Sequence, residues 1–168
     1  GTSHIKFLGF SNGFVGYDSQ VFYDVTYYAQ ATLYGENNLQ FNRVVMLDNG
    51  TIWGDNTFKE LIFTPTKTYS FQAGQTQTIT SLFSAHTPQC GGWSTVTSST
   101  PGTQANIVAA AGVTIDVSGV IMKDIKASGG ATFTAVNSVD NGNNTGWTFP
   151  PYTGQNLYWV GGSGNWND

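Results

Sequence analysis

The chain has 168 residues and a formal net charge of −4, room for one domain of ordinary size and not two. Thr, Gly, Asn and Ser make up 70 residues while Asp, Glu, Lys and Arg make up 16, which excludes long charged surface helices. A single Arg (Arg43) with five Lys cannot line a phosphate-tracking groove, so nucleic acid and anionic membranes are poor partners.

Aromatics at 14%, with many β-branched residues and frequent Gly and Asn, describe short strands joined by tight turns. An all-β protein is expected, and disorder is not. The chain has no run of eighteen apolar residues, so no membrane insertion is expected. No basic-then-apolar leader opens the sequence, and any export signal is expected to have been removed or to lie outside this piece.

Taken in chain order, the first signal is an internal repeat. Residues 32–46 read TLYGENNLQFNRVVM and residues 51–62 read TIWGDNTFKELI. Thr32, Leu33, Tyr34 and Gly35 match Thr51, Ile52, Trp53 and Gly54, and Glu36 and Asn37 match Asp55 and Asn56. After a two-residue gap, Phe41 matches Phe58 and Val44-Val45 matches Leu61-Ile62. A weaker copy precedes them, with Phe22 and Val25 nineteen residues before Phe41 and Val44. A period of about 17–20 residues with strand-forming residues in every copy predicts a solenoid. Leu is too sparse for a leucine-rich horseshoe, so the expected fold is a right-handed parallel β-helix. In it, alternating strands such as 76–80 and 113–117 point one side inward. Asn and Gly would turn the corners.

Later coils are less regular: 69–85, 94–99, 105–108, 113–117, 120–125 and 131–139. Residues 86–93 read as an excursion, broken by Pro88 and Gly91-Gly92. Cys90 is the sole cysteine, which rules out an internal disulfide and a Cys-based zinc site. In an oxidising compartment an exposed Cys90 would be able to pair between chains. The repeat unit is expected to span 1–149. Pro150-Pro151 opens a linker over 150–156, and residues 157–168 (LYWVGGSGNWND) start a following unit or form a capping hairpin.

At this point the residues carry a resemblance. The run KDIKASGGATFTAVNSVDNGNNTGWTF, Lys123 to Phe149, resembles a segment that recurs in very large secreted surface proteins of Bacteroidetes-type bacteria. NNLQFNRVVM, DNTFKELIF, TYSFQAGQTQTIT and SSTPGTQANI are similar to the segments preceding it there, and YWVGGSGNWND to the opening of the next unit. The resemblance covers about residues 22–168. It implies a tandem β-helical repeat of an adhesin-like protein, extracellular and on the bacterial cell surface, with neighbouring copies of the same repeat as partners.

Candidate sites are few. Lyases and hydrolases on β-helices need two or three converging acids, or an acid-bound calcium with a base. Asp48 and Asp55 read instead as corner residues beside Asn, and Asp124, near Lys123 and Lys126, as solvated; no catalytic residue is assigned and an enzyme is not expected. His4 and His86 lack metal-ligand spacing, and His86 near Cys90 reads as a loop histidine beside a partly buried thiol rather than a nucleophile pair. No cofactor is expected, with calcium at Asp140, Asn143 and Asn144 the one option; Asn-Gly corners explain the same residues without metal. Tyr34, Trp53 and Trp93 are the candidate ligand platform, for surface glycans, against the simpler reading of aromatics packed between turns. Thr76, Thr78 and Thr80 hint at an ice-binding ladder, but no Thr-x-Thr recurs at a constant period.

Overall fold

The computed structural model describes residues 4–9, 11–16, 21–35, 38–88 and 92–151. The linker from residue 152, the segment 157–168, Cys90, Glu36 and Asn37 lie outside them. The described residues contain strands, turns and no helix. Strands come as successive rungs: β1 (His4–Phe7) and β2 (Ser11–Gly16), then β3 (Val21–Tyr27) and β4 (Ala31–Gly35). Next follow β5 (Leu39–Met46) and β6 (Gly50–Trp53), then β7 (Asn56–Phe63) and β8 (Thr68–Phe71). β9 (Thr76–His86) and β10 (Ser94–Ser98) make the fifth rung, and β11 (Ala105–Ala109), β12 (Thr114–Ser118) and β13 (Val120–Lys123) the sixth. The last is β14 (Ile125–Ser128), β15 (Ala135–Val136) and β16 (Val139–Asp140).

All named strand pairs are parallel, and each rung adds to the same two sheets. One sheet runs β1-β3-β5-β7-β9-β11-β14, with β12 beside β9 and β15 beside β12; the other runs β2-β4-β6-β8-β10-β13-β16. The observed register follows the repeat read from sequence. Phe22 pairs with Phe41 and Phe41 with Phe58, while Leu33-Tyr34 pairs with Ile52-Trp53. One detail differs. Asn56 pairs with Leu39, not with Asn37, so the two extra residues sit before β5 at a corner where Asn38 takes a positive φ of 63°.

The core lies between the sheets. Phe41 and Phe58 are 3% and 0% exposed, and their rings stack at 5.2 Å, with Phe22 on Phe41 at 5.4 Å. Phe63 of the first sheet stacks on Tyr69 of the second at 3.9 Å and meets Phe71 at 5.9 Å. Identical positions in adjacent rungs are about 4.8 Å apart, so rings repeated at one position fall into contact without special design.

The long strands bend. In β5 the buried positions are Leu39 and Phe41, then Val44 and Met46; in β7 they are Asn56 and Phe58, then Leu61 and Phe63. Two consecutive residues that do not face inward, Asn42-Arg43 and Lys59-Glu60, reverse the alternation and turn the strand around the core. In the sixth rung this bend opens into residues 110–113, so β11 pairs with Thr76–Ile79 and β12 with Leu82–His86. The expected strand 120–125 is likewise split, at Asp124, whose φ of 59° ends β13 and starts β14.

Candidate functional site

The outward surface of the seven-stranded sheet carries polar side chains in files that follow the strand register. Alternation turns Leu33, Ile52, Phe71 and Ser98 inward and leaves their neighbours outside. Thr32, Thr51, Ser70 and Thr97 pair in one file across four strands, and Ser70 Oγ donates to Thr51 Oγ1 at 3.0 Å. A second file runs two residues earlier, with Thr68 beside Thr95, and the Thr68 N–H donates to Asn49 Oδ1 at 2.8 Å. Between the files runs a trough of about 280 Å³ lined by Gln30, Thr32, Asn49, Thr51, Thr68 and Ser70, with Ala31 and Gly50 in its floor. At one corner Lys67 Nζ lies 2.8 Å from Asp48 Oδ1; that hydrogen bond, with the Asn49 N–H, holds the Asp48 carboxyl below the usual carboxylate range.

Tyr34 and Trp53 stand at the next outward position, 37% and 36% exposed, with ring centroids 5.9 Å apart and planes inclined by 36°. They lean on one another and form a wall beside the trough rather than a flat floor. Trp93, 47% exposed, precedes β10 and so lies at the opposite end of the strands. The register through Ile52, Phe71 and Ser98 sets Trp53 level with residue 99, six residues from Trp93 and about 20 Å away. The three aromatics expected together are therefore not one surface.

The corner proposed for calcium is held by internal hydrogen bonds. Asp140 Oδ1 accepts from the Gly142 N–H at 3.0 Å and from Asn144 Nδ2 at 2.6 Å. Asn144 Oδ1 accepts from the Ile125 N–H, and Asn144 Nδ2 also donates to Met122 O. These oxygens face N–H donors, the wrong partners for a cation. Asn143 Nδ2 donates to Asp124 Oδ1 at 2.6 Å. The described residues hold no group of three His, Cys, Asp or Glu able to share a metal.

Asp124 corrects the reading that it is solvated. It is buried, and its Oδ2 accepts from the Gly102 N–H at 3.1 Å. The Asn143 amide outweighs burial and, with Gly102 and nearby Lys123, keeps the carboxyl below the usual range. Its neighbours along the chain misled: Lys123 and Lys126 point outward, while Asp124 turns in at a left-handed corner. His86 is also not a loop residue. It closes β9, and its Nδ1 lies 3.1 Å from Asp116 Oδ1, with Ser84 Oγ 3.3 Å from Asp116 Oδ2. Sequence reasoning did not single out Asp116; the outward phase of strand 113–117 was the available signal. His4 Nε2 meets Thr26 Oγ1 at 3.1 Å.

The hydroxyl file escaped the sequence reading because its spacing is uneven, 19, 19 and then 27 residues from Thr32 to Thr97, the surplus being shared between the corner before β9, an extra residue within β9 and the chain between Ser84 and Thr97. Compared with known proteins, the chain matches no family profile, no curated protein and no solved structure. No helix among the described residues is long and apolar enough to cross a membrane.

Proposed function

We propose that this chain is a right-handed parallel β-helix unit that serves as a stiff structural and adhesive repeat of a long extracellular surface protein, in the manner of the secreted proteins it resembles. The observation that supports it is the register: rung after rung joins the same two parallel sheets, and the sheets end in the strands of the first and last rungs. An architecture of this kind can continue into another copy without a new core. Its partners would be neighbouring copies, and its role mechanical rather than catalytic. The test is a series of one, two and four fused copies measured by small-angle scattering. Stacked rungs give a maximum dimension that grows linearly, by about 34 Å for seven rungs. A compact particle whose dimension grows with the cube root of mass overturns the proposal.

The trough and the Tyr34–Trp53 wall favour a second reading for the adhesive part, saccharide binding. Hydroxyl and amide groups both donate and accept, as sugar hydroxyls require, and aromatic rings cover the apolar faces of sugar rings. Affinity electrophoresis on gels containing neutral polysaccharides tests it: Trp53→Ala is expected to abolish any retardation while leaving circular dichroism unchanged. Retardation that survives the substitution removes this site from consideration.

A further inference from the structure

Resting on the saccharide reading, we infer that the ligand is a neutral, unbranched and extended polysaccharide that lies along the rung-stacking direction, one sugar ring to a rung. The direction comes from the walls. Both files of polar side chains run across the strands: Gln30, Asn49 and Thr68 on one side, Thr32, Thr51 and Ser70 on the other. Thr95 and Thr97 prolong them onto β10. The files are two residues apart, about 6.6 Å, too narrow for a chain crossing them to place more than one ring between the walls. Along the trough, each rung offers a hydroxyl on one side and an amide or hydroxyl on the other at about 4.8 Å, and the Tyr34 and Trp53 centroids are 5.9 Å apart. That repeat is comparable to one sugar ring of a stretched chain, and a helical or branched glycan would leave it after one unit.

Neutrality comes from the lining. The six side chains of the walls are hydroxyls and amides, and the nearby charges, Lys67 and Asp48, are spent on each other at 2.8 Å. An acidic polysaccharide would find no counter-charge among the groups that line the trough, Lys123 standing one rung beyond Thr97, and would meet a chain of net charge −4. The far end is closed to the same pattern, because the file that runs through Thr32 and Thr97 reaches Lys123 on β13. The trough is lined on β4, β6 and β8, and the two files carry its pattern onto a fourth strand, β10.

The experiment is isothermal titration of the whole chain with cello-, xylo- and chito-oligosaccharides of one to six units, with maltohexaose and oligogalacturonate as helical and acidic comparisons. For at least one β-linked series, affinity is expected to rise about tenfold from two units to four and then level off. Thr97→Val, a same-shaped change three rungs from Tyr34, is expected to weaken the tetraose and hexaose several-fold and leave the disaccharide unchanged. Trp53→Ala should weaken every length. Equal affinity for all lengths, preference for maltohexaose or oligogalacturonate, or indifference of the hexaose to Thr97→Val overturns the lengthwise, neutral ligand while leaving saccharide binding standing. Absence of binding by every probe at millimolar concentration removes the saccharide reading itself, and this inference with it.

Discussion

Phe58 touches the ring of Phe41 and has no exposed surface, so its removal opens a void that two rigid sheets cannot close. Phe58→Ala is expected to cost about 3–5 kcal/mol, which in a chain of this size lowers Tm by roughly 10 °C; scanning calorimetry checks it. Gly54 faces a different constraint. Its φ is +73°, and a side chain there would run into the carbonyl oxygen of Gly35 one rung below. Its own carbonyl accepts from Gln77 Nε2 at 2.8 Å, and Asn56 Nδ2 donates to Trp53 O and to Gln77 Oε1, both at 3.0 Å. Gly54→Ala disturbs this buried amide cluster, and unfolding in urea is expected to show a loss of about 2–3 kcal/mol. Gly74→Ala, at a similar φ of 77° in open space, should cost only the strain of the left-handed backbone, about 1 kcal/mol.

Corners are the elements that set where each rung begins. Gly54, Gly74, Gly102, Asp124 and Asn143 all carry positive φ where the chain passes from the seven-stranded sheet to the other, or just after it. Around Asp124 this corner becomes a hydrogen-bonded stack that ties three rungs: Gly102 and Asn143 donate to its carboxylate, and Gln104 Nε2 donates to Asn143 O at 2.9 Å. Because the Asp124 carboxyl is held below its ordinary value of 3.8, it binds fewer protons folded than unfolded near that pH. Its contribution is complete above the ordinary value and is lost as pH falls through the lower, folded one. Thermal scans from pH 5 to about pH 2 should therefore show a falling Tm, with Asp124→Asn giving a shallower fall and a Tm a few degrees lower at neutral pH. A fall as steep in Asp124→Asn as in the parent chain would assign the acid response elsewhere. The exposed pair Lys67–Asp48 moves in the same direction, but solvent screening leaves it little weight.

For the whole molecule, stacking has two consequences. Ring upon ring and rung upon rung, contacts join residues about 20 positions apart, so stability spreads along the stack through neighbouring interfaces. Hydrogen exchange is expected to be slowest in β5 and β7, where both neighbours are long strands, and faster toward β15 and β16, which are two residues each. Protection that is uniform from the third rung to the last would mean that the chain opens as one unit. The outer surface of the seven-stranded sheet then inherits its rigidity from the core behind it, which is what a multi-point ligand contact requires.

The strand-rich composition, the repeat and the inward Phe41 and Phe58 were legible from residues alone, because a parallel stack forces equivalent residues onto equivalent positions and leaves a period in the chain. The wall of Tyr34 and Trp53 followed from the same repeat. What only tertiary structure decided lies where the spacing is uneven or the direction of one side chain matters. The two-residue surplus before β5, the surplus spread from Phe71 to Thr97 and the opening at 110–113 each shift the numbering without shifting the register, so the file from Thr32 to Thr97 and the pairing of Asp116 with Ser84 have no constant period to betray them. Trp93 separated from Trp53, and Asp124 turned from solvent into a corner, for a related reason: a residue's place along the strand and its φ depend on where a rung starts, and that is set by contacts with the rung beneath it.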